Sequence, residues 1–456
     1  MIQITCPSNN IPERTYAINI IFNELMGCGL DLNSIVFSDD AEEYTIGVGD
    51  KRLIVEDHFF NYYREPLSYL NNDNLPKELH YFHARGMEIP IIYGIDRYSE
   101  SGNTITIGLD IFASTFFMLS RWEESLYGRD EEGDCKETKL FTVVNNIHKR
   151  PIVHEYEFFL RDILQDLNIS LKQRSYKVVM THDVDGLITP SWMRIIKDFK
   201  FRIKNGPLPA SPLNMTWRQK MGYKLFFPNE HKQVGLYVDL CEKYNVPEWF
   251  YFKVCAANEV ESTYTYDDSR VQKVIDKLLS LNSTNIQLGF HPSQSTFNNE
   301  NQWNQECQRI SRLLGFNPKI GRNHHLLFNL YTLRLWESSL AEQKSQFDIS
   351  NCVFHGRHGF RSGIAVPYPI FDYYQRRQME LREHPNHIMD TVIRYQVKTM
   401  SDEERYNDIK TVVDSVSKYN GELVLTWHIY LRKKQLILDY FDWCIKTIEY
   451  ATEKRK

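Results

Sequence analysis

Val178-Val179-Met180-Thr181-His182-Asp183-Val184-Asp185-Gly186 is an apolar run that ends in two acids, a histidine and a glycine. A strand covered on both faces of a parallel sheet has such a continuous apolar run, and in α/β folds the loops at the carboxyl ends of these strands carry the ligands. Asp183 and Asp185 are two residues apart, so an extended chain projects both to the same side. The stretch therefore predicts a buried strand that delivers two carboxylates to a pocket, one to hold a metal ion and one to act on its water. Helix capping by these acids is the alternative.

Downstream of this stretch, apolar stripes at helical spacing alternate with short apolar or aromatic runs typical of strands. The helical stripes lie within residues 234–241, 271–278, 303–314 and 409–416, and the strand-like runs are residues 249–254, 286–290 and 423–426. Ser401-Asp402-Glu403-Glu404 predicts a capping box at the start of the last of these helices. Strands that alternate with helices at this spacing pair in parallel, so the pattern predicts an α/β fold with a barrel-like or doubly wound sheet.

The first 150 residues follow a different pattern. Pro12 favours the start of an amphipathic helix, and Tyr44–Val48 and Arg52–Glu56 flank Gly49-Asp50-Lys51 as a predicted hairpin. Asp110 is a predicted helix cap. The charged, aperiodic residues 129–139 indicate a surface loop near a boundary. We therefore predict a small α+β domain over residues 1–150, without catalytic groups, and a second domain over residues 151–456.

Composition excludes several classes of function. The chain has 456 residues, 42% hydrophobic and 25% charged, with a formal charge of −5, which is typical of a globular protein without a nucleic-acid footprint. No apolar run approaches the ~20 residues of a membrane span, and residues 1–7 lack the pattern of a secretory signal. The eight cysteines are scattered singly, which favours reduced thiols. We expect a cytoplasmic protein; its oligomeric state is not indicated.

Polar side chains follow each of the later strand-like runs. His291 comes after Phe290, Arg322 after Ile320-Gly321, Asp348 after Phe347, and His428 after Thr426-Trp427. Because the carboxyl ends of parallel barrel strands meet on one face, these side chains are expected to lie close together. The sequence therefore predicts one pocket that contains Asp183, Asp185, His291, Arg322 and His428.

In this order the residues resemble the five motifs of the polysaccharide deacetylases with NodB homology, carbohydrate esterase family four, over about residues 175–430. The resemblance implies a deformed (β/α) barrel. It also implies that Asp183 is the general base, braced by Arg322, that Asp348 is the fourth-motif acid, and that His428 is the general acid. We expect a neighbouring carboxylate, such as that of Asp348, to keep His428 positively charged. Gly359-Phe360-Arg361-Ser362-Gly363, with the N-terminal block, further resembles a bacterial subgroup that carries an uncharacterised domain in front of the deacetylase-like one.

The metal ligands that the resemblance implies are Asp185 and His291. The family has a second histidine four residues after the first, where this chain has Ser295, a weak ligand. Catalytic zinc takes three protein ligands, so the alternatives for the third are His182, His324, His325 or a water molecule. A harder ion such as magnesium or manganese is a further alternative.

These residues predict a metal-dependent hydrolase of an amide or ester bond, and the resemblance implies that it removes acyl groups, such as acetyl, from a carbohydrate or a related amide or ester. The expected cofactor is a divalent metal, zinc in the first instance. His324 and Trp427 are expected to contact the carbohydrate. The competing hypothesis is a catalytically reduced deacetylase-like protein that binds a glycan or an assembly partner. A phosphoesterase is disfavoured because no glycine-rich phosphate cradle accompanies the acids.

Overall fold

Two β-sheets, each with its own large apolar core, organise the chain. The structure is a computed structural model. It describes residues 2–128, 136–187, 192–205, 216–227, 230–256, 264–281, 283–341, 347–429 and 434–455. The predicted charged loop at residues 129–139 lies largely outside these ranges.

The first sheet is formed by residues before 110. Its strands and an adjoining hairpin are β1 (Ile2–Pro7), β2 (Val36–Ser38), β3 (Tyr44–Val48), β4 (Lys51–Val55), β5 (His80–Ala84), β6 (Met87–Ile91), β7 (Gly94–Ser101) and β8 (Thr104–Leu109). Among the described residues the sheet runs in the order β2-β1-β3-β4-β8-β7, while β5 and β6 pair separately. The predicted hairpin is confirmed, because β3 and β4 pair antiparallel from Val48 and Lys51 outward.

Helices cover this first sheet. They are α1 (Ile11–Ile18), which continues as a π-helix over Asn19–Leu25, α2 (Ile111–Ser120), α3 (Trp122–Tyr127), α4 (Phe141–Val144) and α5 (Ile152–Asp166). Asp110 caps α2 as predicted, since its Oδ1 accepts from the Ala113 N–H at 3.0 Å. The buried face of α5 belongs to the same apolar core as α2. The domain division at residues 150 and 151 stays a prediction, and this packing favours a boundary after α5.

The second sheet contains the organising strand. Its strands are β9 (Lys177–Val184), β10 (Glu248–Phe252), β11 (Ile286–Phe290), β12 (Ile320–Gly321), β13 (Phe347–Ile349), β14 (Tyr368–Asp372), β15 (Arg377–Glu383), β16 (Ile388–Met389) and β17 (Glu422–Thr426). The order over the described residues is β14-β15-β13-β12-β11-β10-β9-β17-β16, and every pair is parallel except β14 with β15. The order ends at β14 and β16, so closure into a barrel is not confirmed, whereas the mixed α/β class is.

Helices flank this sheet. They are α6 (Trp192–Asn205), α7 (Trp217–Phe226), α8 (Glu230–Lys243), α9 (Ser269–Ser280), α10 (Glu300–Leu314), α11 (Leu330–Ala341), α12 (Asp390–Gln396), α13 (Asp402–Lys418) and α14 (Lys434–Glu453). The predicted capping box is confirmed, because Ser401 and Glu404 satisfy each other's backbone N–H groups at the start of α13. Within the described ranges, no helix combines the length and apolarity needed to cross a bilayer.

The buried position of β9 explains its sequence. β10 and β17 pair with it on either side, and Val178, Met180 and Val184 are completely buried in the second core. Each such fully buried side chain contributes about 1.5–3 kcal/mol to folding. The apolar run therefore anchors the strand, and the acids at its end are held at a defined place on the sheet edge.

Candidate active site

Parallel strands deliver polar side chains to one edge of the second sheet. Asp183 is in the last residues of β9, His291 directly follows β11, Arg322 directly follows β12, and His428 lies two residues after β17. Side-chain nitrogens of all three partners lie within 3.9 Å of an Asp183 carboxylate oxygen. His291 Nε2 also lies 3.5 Å from Asp185 Oδ1. The structure thus brings together the five residues for which the sequence predicted a common pocket.

The guanidinium of Arg322 fixes the carboxylate of Asp183. Arg322 Nη1 donates to Asp183 Oδ1 at 2.8 Å, and both side chains are buried. The other nitrogens of Arg322 donate to the Ser350 carbonyl at 2.6 Å, to Ser350 Oγ at 2.8 Å and to Thr181 Oγ1 at 3.0 Å. Charge-assisted hydrogen bonds in a fixed fork hold a partner in one orientation, so Arg322 positions Asp183.

Gly321 allows β12 to approach its neighbours closely. A Cβ atom at this position would lie 2.3 Å from the Trp336 ring and 2.6 Å from the Phe290 carbonyl oxygen. Both distances are far inside van der Waals contact, so a side chain would push Arg322 away from Asp183. The glycine before Arg322 is therefore part of how the chain positions this pair.

Asp183 is ionised at neutral pH. Burial raises the pKa of this carboxyl, but the charge of Arg322, followed by those of His291 and His428, lowers it by more. The net pKa lies below the ordinary value of an aspartate. Asp183 is therefore available as a proton acceptor.

His428 has the opposite character. Its Nδ1 lies 2.6 Å from Oδ1 of Asp390, the first residue of α12, and its Nε2 lies 3.6 Å from Asp183 Oδ2. Burial lowers the pKa of His428, but Asp390, and then Asp183 and Asp185, raise it to about 9. His428 therefore carries a proton at neutral pH and presents it next to the ionised Asp183.

The carboxylate beside His428 is Asp390, so the expectation that Asp348 fills this place is wrong. Asp348 Oδ2 lies 3.2 Å from His384 Nε2, and His384 Nδ1 lies 2.8 Å from Glu422 Oε1. Four strands separate β13, which carries Asp348, from β17, whereas β16 is the neighbour of β17. Asp390 directly follows β16 and so reaches His428.

Asp185, His291 and His324 form a donor set suited to a divalent metal. One ligand atom from each lies within 4.8 Å of the other two. Asp185 Oδ1 is 3.5 Å from His291 Nε2 and 3.7 Å from His324 Nε2. Tetrahedral ligands about 2.1 Å from zinc are about 3.4 Å apart, so these two separations are close to those of a bound ion.

The orientation of His291 fits this donor set. Its Nδ1 lies 2.6 Å from the Arg322 carbonyl oxygen, which only accepts, so the proton resides on Nδ1. Nε2 then has its lone pair free, is buried, and makes no hydrogen bond to the described part of the chain. A second hydrogen bond that fixes the tautomer is typical of metal-binding histidines. The residues present therefore fit a metal ion.

Among the alternatives that the sequence left open for a third ligand, His324 is the residue whose ligand atom lies close to those of Asp185 and His291. His182 is engaged elsewhere, with Nδ1 2.7 Å from the Trp427 carbonyl oxygen and Nε2 2.9 Å from Glu248 Oε1. His325 is exposed. His324, expected from the sequence to contact substrate, is thus a member of the donor set.

Two further expectations concern Ser295 and Trp427. Ser295 is exposed, and its hydroxyl lies 2.8 Å from Ser293 Oγ; its role as a weak ligand stays a prediction. The Trp427 ring is completely buried in the second core, and its Nε1 donates to the Tyr440 carbonyl at 2.9 Å. The expectation that Trp427 contacts substrate is therefore wrong, because a fully enclosed ring has no face to offer.

Lys253, for which the sequence predicted no role, also belongs to the site. It directly follows β10, is 1% exposed, and places Nζ 2.9 Å from Asp185 Oδ1. Burial raises the pKa of Asp185, but Lys253, followed by the nearby histidines, lowers it well below its ordinary value. The available signal was a lysine directly after the buried aromatic run Trp249–Phe252, in the same place as His291 after its strand.

Comparisons with known proteins give one match by sequence and several by structure. Residues 2–169 match the sequence model of a family described as a family of unknown function, DUF7033, over less than half of the chain. No curated protein matches the sequence.

Three similar solved structures each resemble about 60% of the chain. A candidate polysaccharide deacetylase from Mycobacterium smegmatis has 15% identity over 60% of this chain and 85% of its own, with a TM-score of 0.35. The allantoinase PuuE has 11% identity over 61% and 85%, with a TM-score of 0.37. A family 4 carbohydrate esterase from Streptomyces lividans in complex with acetate has 10% identity over 62% of this chain and 91% of its own, with a TM-score of 0.28.

Proposed function

We propose that this chain is a metal-dependent hydrolase that removes acyl groups, acetyl in the first instance, from an amide or ester on a carbohydrate. One observation carries the proposal: Oδ2 of the ionised Asp183 and Nε2 of the charged His428 are 3.6 Å apart. This pair lies next to the donor set of Asp185, His291 and His324. A proton acceptor, a proton donor and a Lewis-acid site are the groups that acyl transfer to water needs. The carbohydrate part of the proposal rests on the resemblance of the motifs.

Each residue has a role in this reaction. Asp183, oriented by Arg322, accepts a proton from the attacking water as its oxygen bonds to the acyl carbon. His428 donates its Nε2 proton to the leaving nitrogen or oxygen as the acyl bond breaks. The proton on Asp183 and the empty Nε2 then lie on neighbouring atoms, so His428 can regain its proton locally. Asp185, His291 and His324 would hold a divalent ion, since one carboxylate and two imidazoles match the ligands of catalytic zinc, and the bound ion would supply polarisation of the acyl carbonyl.

Hydrolysis assays test the proposal directly. Chelator-treated protein is assayed with 4-nitrophenyl acetate and with an acetylated chito-oligosaccharide, after addition of zinc, manganese, cobalt or magnesium. We expect release of acetate to depend on one of these ions. If no ion raises hydrolysis above that of Asp183→Asn, the hydrolase proposal is lost and the glycan-binding hypothesis replaces it.

The pH dependence of turnover provides a second test. We expect kcat to fall above about pH 9, because the pKa of His428 is raised to about 9 and the acid is lost as pH rises through it. Asp390→Asn removes the main charge that raises this pKa, so the alkaline limb should move to lower pH. Asp402→Asn is the matched control, because Asp402 begins α13 as Asp390 begins α12 but is exposed. An unchanged limb in Asp390→Asn would contradict the assignment of His428.

The free energy of unfolding should also depend on pH through the pair formed by His428 and Asp390. A raised folded-state pKa of His428 contributes stability that is fully present below its ordinary value of about 6.5 and is lost as pH rises through about 9. Urea unfolding of the wild type and of Asp390→Asn between about pH 6.5 and about pH 9 measures how the free energy of unfolding of each protein changes with pH.

Metal affinity distinguishes His324 from Ser295 as the third ligand. We expect His324→Ala to weaken zinc binding by about 100-fold or more, since even the loss of an outer partner costs about 10- to 100-fold. Ser295→His should either leave the zinc affinity unchanged or lower it, because His324 already supplies the third ligand. His325→Ala, at the exposed neighbour of His324, is the control and should bind zinc as the wild type does. Tighter binding by Ser295→His would instead indicate an incomplete set.

A further inference from the structure

The side chain of Lys253 lies among the atoms of the proposed metal site. Its Nζ is 2.9 Å from Asp185 Oδ1 and 2.7 Å from His324 Nε2. These are two of the three ligand atoms of the donor set. The lysine is 1% exposed, so its ammonium is enclosed with them.

Strand register explains this placement. Val184, Phe252 and Phe290 are aligned across the neighbouring parallel strands β9, β10 and β11. The residues that directly follow these three strands are Asp185, Lys253 and His291, respectively. The lysine therefore emerges between a carboxylate and an imidazole of the donor set. The Tyr264 hydroxyl accepts from the Lys253 backbone N–H at 3.0 Å and donates to the Val184 carbonyl at 2.7 Å, which ties β10 to β9 at this point.

The ammonium uses a lone pair that a metal ion needs. A lysine ammonium only donates, so His324 Nε2 accepts at 2.7 Å. A neutral imidazole has one nitrogen lone pair, and it cannot serve the ammonium and a metal together. Asp185 Oδ1 forms an ion pair with the same ammonium at 2.9 Å, although the carboxylate keeps lone pairs that a metal ion can use. A divalent ion held by these atoms would also lie within a few ångströms of a like charge.

We propose that Lys253 is the resident cation of this site, which holds Asp185 and His324 in place without metal and must leave His324 before a divalent ion binds. The inference rests on the proposed metal site and deepens it. Metal affinity is then set by a competition between an internal ammonium and the ion. Loading with metal requires a movement of the Lys253 side chain, and removal of metal returns it.

Titration of metal into lysine variants tests the competition. Lys253→Met keeps an unbranched chain of similar length and removes the charge and the donors. We expect Lys253→Met to bind zinc and manganese at least about tenfold more tightly than the wild type, as measured by isothermal titration calorimetry. Without metal, the melting temperature of Lys253→Met should be lower than that of the wild type, because Asp185 and His324 then lack a cation. Saturating zinc should therefore raise the melting temperature of Lys253→Met by more than it raises that of the wild type. Lys273→Met, at an exposed position on α9, is the control and should match the wild type in both measurements.

The outcomes separate this inference from the proposed function. Equal or weaker binding by Lys253→Met overturns the competition, and so does absence of zinc and manganese binding by both proteins. Tighter binding without hydrolysis in either protein supports the competition and removes the hydrolase proposal. Metal-dependent hydrolysis by the wild type, with the metal affinity unchanged in Lys253→Met, supports the hydrolase proposal and overturns the competition. If Lys253→Met does not fold, Lys253→Gln, which is neutral and retains donors, is expected to show a smaller gain in affinity, and no gain overturns the inference.

Discussion

Asp183→Asn is expected to lower kcat for acetyl hydrolysis by about 10²- to 10⁴-fold, the usual range for loss of an acid or base. The amide has the shape of the carboxylate, so Arg322 keeps an oxygen partner, but it cannot take a proton from water. Circular dichroism and urea unfolding establish that the variant is folded, and zinc titration establishes that the donor set is intact. Acetate release with the metal-loaded protein then measures the chemical contribution of Asp183.

The matched control for Asp183→Asn is Asp276→Asn, which makes the same change at an exposed position on α9. It should retain the activity of the wild type. If Asp183→Asn itself stays within tenfold of the wild type while folded and metal-loaded, Asp183 is not the proton acceptor.

Arg322→Met is expected to destabilise the protein by about 3–5 kcal/mol, the cost of removing one partner from a buried ion pair. The change leaves Asp183 charged and enclosed, and it also removes donors from Thr181 and Ser350. Equilibrium unfolding in urea at pH 7 measures the loss. Arg377→Met is the control, because Arg377 makes a surface pair with Glu337, and such pairs contribute only about 0–1 kcal/mol.

The difference between Arg322→Met and the wild type should depend on pH. The folded-state pKa of Asp183 in the wild type is below its ordinary value, so its stabilising contribution is present above about pH 4 and is lost as pH falls through the folded pKa. Without Arg322, burial dominates and raises the pKa of Asp183, so protonation relieves the variant in acid. We therefore expect the gap in unfolding free energy to begin to narrow above about pH 4, as pH falls through the raised pKa of Asp183 in the variant, and to narrow further below about pH 4. A constant gap would mean that Arg322 stabilises the fold through packing alone.

The sequence was sufficient for several local features because their causes are local. The apolar run at residues 178–180 predicts a buried strand, and the capping box at Ser401 predicts the start of α13. The positions of His291 and Arg322 directly after strands were also readable, because a strand end needs only the change from apolar to polar residues. Whether the second sheet closes into a barrel could not be predicted from the sequence, because closure depends on edge strands that are far apart in the chain.

The partner of His428 illustrates a choice that the sequence left to the tertiary structure. Asp348 lies within β13 and Asp390 directly follows β16, but both come after apolar residues in the sequence, so nothing local distinguishes them. The order of strands decides, because β16 is hydrogen-bonded to β17 with Met389 aligned with Thr426, whereas β13 lies across the sheet. An electrostatic effect that raises the pKa of a histidine to about 9 acts over a few ångströms, so it follows spatial neighbours rather than motif order.

The sequence by itself determined the α/β class and which residues the strand ends offer, because hydrophobic periodicity and the residue after each strand are properties of neighbouring positions. Only the tertiary structure decided which side chains meet. It gives the donor set its third member in His324 rather than in Ser295, buries the ring of Trp427, and inserts Lys253 between Asp185 and His324. Strand register and sheet order set these contacts, and both depend on pairing between segments remote in sequence.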